Sequence, residues 1–165
     1  MNWVALVVGL VGAQRLAELW LAQRNTVRLK AEGAVEHGAA HYPLFVLLHG
    51  GWLLALLLTV PADRVPNWLL LGLFVLLQCG RVWAITSLGR RWTTRVVVPA
   101  EATLVASGPY RFVRHPNYWI VALEIAVLPL AFGAWQIALV FTALNALLLR
   151  HRIRVEERAL GLARA

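Results

Sequence analysis

Cysteine is nearly missing from this chain: Cys79 stands alone among 165 residues. A single thiol excludes a disulfide framework and a cysteine-based metal site. Its place in an apolar run points to a buried, inert side chain. Charge is scarce as well. Only 15% of residues are charged, against about 25% in an average soluble domain, while 60% are hydrophobic. Acidic groups are fewest: 8 Asp and Glu against 16 Lys and Arg, a formal charge of +8. That excess does not indicate nucleic acid, because the basic residues cluster in the gaps between apolar runs, as in a membrane protein. Internal repeats and low-complexity linkers are missing too, and the length fits one compact bundle, a single domain over 1–165.

What is there is long apolar sequence. A bilayer core of about 30 Å takes roughly 17–25 residues in helical form. Residues 1–23, 42–60 and 66–88 are three candidate spans, the second ended by Pro61 and the third opened by Pro66. Residues 118–132 and 134–149 are shorter, and Pro129 and Gly133 between them predict a helical hairpin. The expected fold is therefore an all-α integral membrane protein of about five transmembrane helices. Gln14, Arg15 and Glu18 make the first span too polar for a cleaved signal peptide, so it is expected to be retained.

The gaps alternate in basic residues. Residues 24–41 hold Arg24, Arg28 and Lys30, and 61–65 only Arg64. Residues 89–117 hold Arg90, Arg91, Arg95, Arg111 and Arg114; the turn near 133 holds none, and the tail holds Arg150, Arg152, Arg154, Arg158 and Arg164. The positive-inside rule puts the rich gaps and the C-terminus in the cytoplasm and the N-terminus outside. Many of these arginines can simply anchor to anionic lipid headgroups. Ionisable residues within the apolar runs need partners in the protein interior. Arg15 and Glu18 are spaced to pair on one helix face, and Glu124 requires a donor such as Arg81 or Arg150. Trp3, Trp68 and Trp135 fall near the outer boundary and Trp20, Trp83, Trp92 and Trp119 near the inner one, where any of the latter could line a cavity.

Two stretches combine chemistry-bearing residues. Glu36, His37, His41 and His49 lack the helical spacing of a metal-ligand pair, so no metal is expected; they read either as polar lining of a substrate cleft or as ordinary interfacial polarity. The segment "RRWTTRVVVPAEATLVASGPYRFVRHPNYW" lies before the fourth span. "TTRVVV" reads as a strand with "ATLVASG" as its partner, which confines this extended piece to the cytoplasm or interface. Pro116 suits the first position of a helix, placing His115 and Tyr118 one turn apart at its N-terminus, where an anionic group is favoured. In the tail, Arg152 and Glu156 are four apart on a helix that extends the fifth span. A solvated charged helix explains that spacing alone. Its emergence beside His115 and Tyr118 is the setting for a polar, charged cofactor meeting an apolar substrate.

At these residues the chain resembles the isoprenylcysteine carboxyl methyltransferases, integral membrane enzymes that use S-adenosylmethionine. The shared pattern is Gly108-Pro109-Tyr110-Arg111, then Arg114-His115-Pro116-Asn117-Tyr118, then Arg152 with Glu156-Glu157, within core residues 80–160. The N-terminal "RLAELWLAQRN" and "GAVEHGAAHYP" look like a bacterial subgroup associated with type III polyketide synthases, whose members methylate hydroxyls of alkylpyrones or alkylresorcinols. The resemblance implies a cofactor pocket of Gly108, Pro109, Tyr110, Arg111, His115, Pro116, Tyr118, Glu156 and Glu157. It implies catalytic roles for Arg152, Glu156 and His115: the arginine steadies an acidic acceptor or a phenolate, and His115 or Glu156 takes a proton. The partners would be a lipophilic small molecule and the lipids of a bacterial cytoplasmic membrane. The chain lacks the extra spans of the eukaryotic enzymes, which counts against protein carboxyl methylation. NADPH-dependent membrane sterol reductases share "RHPNY", yet they usually carry Glu where Val121 stands here. Phospholipid N-methyltransferases have similar motifs, and a non-catalytic membrane scaffold is a further alternative.

Overall fold

The computed structural model describes residues 2–99 and 105–161. Its elements in chain order are α1 (Trp3–Ala31), β1 (Val35–His37), α2 (Tyr42–Thr59), α3 (Trp68–Leu88), β2 (Val96–Val98), α4 (Pro116–Ala131) and α5 (Trp135–Ala159). One-turn 3-10 helices at Ala39–His41, Gly89–Arg91 and Gly108–Arg111 join them. The protein is thus a helical membrane protein with a two-stranded clasp.

Local signals set the helix ends. The Asn2 side chain caps α1 by accepting from Ala5 N at 3.0 Å. Nothing in residues 24–31 breaks a helix, so α1 runs eight residues beyond the apolar stretch and carries Arg24, Arg28 and Lys30 on its last turns. Asn67 caps α3, accepting from Leu69 N and Leu70 N at 3.0 and 3.2 Å. Pro116 occupies the first turn of α4, where its missing N–H costs nothing. The hairpin forms as expected: α4 ends after Pro129, and Gly133, at φ 75°, reverses the chain into α5.

Helices α1, α2 with its preceding turn, and α3 are each long and apolar enough to cross a membrane. The 16 residues of α4 span only about 24 Å at 1.5 Å per residue, and α4 packs between α3 and α5. Trp52, Leu56, Ile125, Leu128 and Phe132 fill the shared core. At one end Trp3 meets Trp68 edge to face, with ring centroids 5.1 Å apart. There too the Ala131 carbonyl accepts from Asn67 N at 2.7 Å, and a Cβ on Gly133 would sit 3.2 Å from the Arg64 guanidinium.

The arginine-rich segments share the opposite end. Asn25 donates to the Trp92 carbonyl at 2.8 Å and Arg28 to the Arg90 carbonyl at 2.7 Å. The partner of β2 is β1, in antiparallel register Val35↔Val98, Glu36↔Val97 and His37↔Val96. The strand expected over 102–108 falls partly outside the described residues, as does Arg164, and Val105 and Ala106 are not in a strand. Glu36 locks the clasp from both sides, accepting from Lys30 and from Arg95 Nη1, the latter at 2.7 Å. The hydrogen bond from Lys30, with that from Arg95 beside it, holds the Glu36 carboxyl below its usual range.

One side chain sits elsewhere than expected. Cys79 is exposed on the outer face of α3, in the stripe of Val75, Leu76 and Val82 that points away from the bundle. Of the four tryptophans placed at the inner boundary, only Trp92 is buried; Trp20, Trp83 and Trp119 point outward.

Candidate active site

Beneath the clasp lies a cavity of about 870 Å³, walled by all five α-helices, β2 and the Gly108–Arg111 turn. Its upper part is polar and its α1–α2 side is apolar, with Leu16, Leu19, Val46 and Leu53.

The two sequence blocks meet in the upper part. The Tyr118 hydroxyl donates to Glu156 Oε2 and accepts from Arg152 Nε at 2.8 Å, so the phenol bridges the arginine and the carboxylate. Arg152 Nη1 also donates to the Thr94 carbonyl at 2.6 Å, tying α5 to the segment before β2. The guanidinium lies against Phe45 as well, 5.3 Å from its ring centre. The His115 ring stacks on Tyr118, with centroids 5.2 Å apart and planes 17° from parallel. Its Nε2 is buried and has no hydrogen-bond partner among the described residues; the Glu157 carboxylate stands 3.9 Å off. Arg114 faces the same carboxylate at 3.7 Å. Tyr110 lines the cavity, and burial together with the Glu156 charge pushes its phenol pKa up, so it stays an O–H donor at neutral pH.

Of the residues expected from sequence, Tyr110, Arg111, His115, Tyr118, Arg152 and Glu156 line this cavity. Gly108, Pro109, Pro116 and Glu157 do not border it. Gly108 lets the turn press against α3: at φ 56°, a Cβ there would collide with the Ser87 side chain and sit 3.2 Å from Trp83 Nε1. Pro109 is buried under the same turn, and Pro116 starts α4. Trp92, one of the inner tryptophans that could line a cavity, does so; sequence reading did not anticipate Tyr42, Thr94 and Arg95 as lining residues. Arg95 covers the Tyr42 ring at 4.3 Å, and Thr94 Oγ1 donates to the Tyr42 hydroxyl at 3.2 Å. Tyr42 sits just after a stretch whose histidines pointed to a cleft, which was the available signal.

The floor is a charged network inside the bundle. Glu18 accepts from Arg15 Nη1 at 2.9 Å and from Arg81 Nε and Nη2 at 2.7 and 2.6 Å. Glu124, wholly buried, accepts from Arg15 Nη2 at 2.5 Å, from Gln78 at 2.9 Å and from Arg81 Nη1 at 3.5 Å. Gln14 donates to both Glu18 and Gln78. Two guanidinium and two carboxylate groups therefore neutralise one another, the arrangement that ionisable groups within a membrane require. Arg81 is the Glu124 partner foreseen; Arg15 is a second, and Arg150 is exposed on α5. Among the described residues, no group of three or more His, Cys, Asp or Glu is gathered for a metal ion.

The helical membrane bundle thus holds a polar pocket at one end that opens into an apolar cavity. Residues 70–162 match the isoprenylcysteine carboxyl methyltransferase (ICMT) family. The chain belongs to that family, a family of membrane methyltransferases. It is similar to the uncharacterized protein YpbQ of Bacillus subtilis, 38% identical over 97% of this chain and 96% of that protein. It is also similar to an uncharacterized protein of Haemophilus influenzae, 26% identical over 98% of this chain and 96% of that one. No solved structure matches it significantly.

Proposed function

We propose that this protein is an S-adenosylmethionine-dependent O-methyltransferase acting on a lipophilic small molecule with a hydroxyl-bearing head. One observation carries the reading: Tyr118 and His115 of the first block stand against Arg152 and Glu156 of the second, at the polar mouth of an otherwise apolar cavity. The residues fit such a donor. Glu156 borders the cavity with a carboxylate suited to ribose hydroxyls or an ammonium, and His115 lines it beside Tyr118. The volume of about 870 Å³ lies within the range of about 300–1,000 Å³ that encloses drug-sized ligands. S-adenosylmethionine, when bound, supplies a methyl carbon already activated by its positive sulfur.

The protein's own task is placement and charge. Holding the acceptor oxygen in line with the methyl carbon supplies most of the rate. Arg152, fixed by the Thr94 carbonyl and Tyr118, steadies the negative charge of a phenolate or enolate. A hydroxyl must lose its proton, and the two groups at hand are His115 and Glu156, the latter already holding the Tyr118 hydroxyl. The acceptor's hydrocarbon tail lies along Leu16, Leu19, Val46 and Leu53, entering between α1 and α2 from the bilayer. The polar end faces the cytoplasm of a bacterial inner membrane, by its arginine content.

Calorimetry on the purified protein in detergent tests the donor. Saturable binding of S-adenosylmethionine, weakened at least tenfold in Glu156→Ala, is expected. Binding of NADPH without S-adenosylmethionine would move the chain's activity to the reductase reading.

A further inference from the structure

A histidine stands beside the charged network of the cavity floor. Glu18 accepts four hydrogen bonds, from Gln14, Arg15 and twice from Arg81. Arg81 is taken by Glu18, Glu124 and the Asn117 amide oxygen. His49 of α2 differs. Its Nδ1 lies 2.8 Å from the Phe45 carbonyl, one turn back along the helix. A carbonyl only accepts, so Nδ1 carries the proton, and in the neutral ring Nε2 is left with a lone pair. His49 lines the same cavity as Tyr118 and Arg152. Along α4, the network reaches from Asn117, next to Tyr118, down to Glu124, about 9 Å below it at 1.5 Å per residue.

We infer that His49 Nε2 forms a second recognition point, accepting a hydrogen bond from a proton-donating group on the acceptor ring other than the oxygen that is methylated. The inference rests on the O-methyltransferase reading and narrows it to acceptors with two hydroxyls, or a hydroxyl and an N–H, on one head. A carboxylate head offers no donor and places its negative charge against that lone pair. His49 is thus a specificity residue rather than a member of the reacting set.

The test uses direct binding in detergent, followed by tryptophan fluorescence, with 5-pentylresorcinol and 3-pentylphenol as probes. These differ by one hydroxyl. Wild-type protein is expected to prefer the resorcinol about tenfold, the net worth of one hydrogen bond. His49→Leu and His49→Phe remove the acceptor atom and are expected to bring the two probes within about twofold of each other. His49→Gln, whose amide oxygen accepts, is expected to restore part of the preference. Having two loss variants covers the case in which one does not fold. Equal binding of the probes by wild type, or an undiminished preference in a folded loss variant, overturns the inference. Resorcinol preference without methylated product from labelled S-adenosylmethionine would leave His49's role standing and overturn the methyl-transfer reading. Methylated product with no preference would do the reverse.

Discussion

Removing the Glu124 carboxylate is the sharpest perturbation the fold offers. Its oxygens are wholly buried and accept from Arg15, Arg81 and Gln78. Glu124→Gln keeps the volume but leaves one positive charge of the four-charge network unbalanced in the bundle. Breaking a buried pair by deleting one partner costs about 3–5 kcal/mol. For a chain of this size, 1 kcal/mol moves the unfolding midpoint by roughly 2–4 °C, so Tm is expected to drop by about 6–20 °C. The double change Arg15→Met with Glu124→Gln returns the network to neutrality, since Arg81 still pairs with Glu18. It is expected to recover more than half of the loss, a coupling that a double-mutant cycle reads directly. Thermal unfolding in one detergent, followed by tryptophan fluorescence, measures all four proteins. A Glu124→Gln midpoint within about 2 °C of wild type, or strictly additive single effects, would refute the idea that these charges hold one another.

Three further outcomes follow from the site and the clasp. Tyr118→Phe removes the hydroxyl between Arg152 and Glu156; hydrogen bonds to charged groups are worth about 1.5–3 kcal/mol, so Tm should fall by about 3–12 °C and labelled methyl transfer, measured below that midpoint, by about 10- to 100-fold. Gly108→Ala puts a Cβ onto Ser87 at a left-handed φ of 56°; a drop in Tm of a few degrees is expected, and relief by Ser87→Gly would show the collision to be the cause. For Glu36 the pKa is depressed in the folded protein, chiefly by its hydrogen bond from Lys30. Its stabilisation is therefore complete above the ordinary carboxylate value of 4.5 and is lost as pH falls through the lower folded value. Limited proteolysis within 33–38 should rise only below that pH in wild type, and Glu36→Gln should cleave readily at neutral pH.

The helices were legible because each carries its own signals. Pro66 and Asn67 open α3, Pro116 opens α4, and Pro129 with Gly133 turns the hairpin. The meeting of His115 and Tyr118 with Arg152 and Glu156 was legible because both lie at the same end of adjoining helices. Of the clasp only β2 was legible, within "TTRVVV"; β1 was not, because a three-residue strand such as Val35–His37 holds too few residues to show a period, and its pairing joins segments some 60 positions apart. Cys79 illustrates a second limit: in a bilayer an apolar run is apolar on every side, so hydropathy does not tell the face against lipid from the face against protein. Glu124 was legible as needing a cation but not as needing two, since Arg15 could be seen only with its neighbour Glu18.

The central claim is tested most directly by incubating membranes containing the protein with methyl-labelled S-adenosylmethionine and separate pools of alkylresorcinols, alkylpyrones, prenylcysteine analogues and phosphatidylethanolamine, and reading label in the extracted lipid. Label on the oxygen of a hydroxylated alkyl ring compound, abolished in Arg152→Ala and Glu156→Ala, is the expected result. Label confined to phosphatidylethanolamine nitrogen, or equal label with both alanine variants, would contradict it.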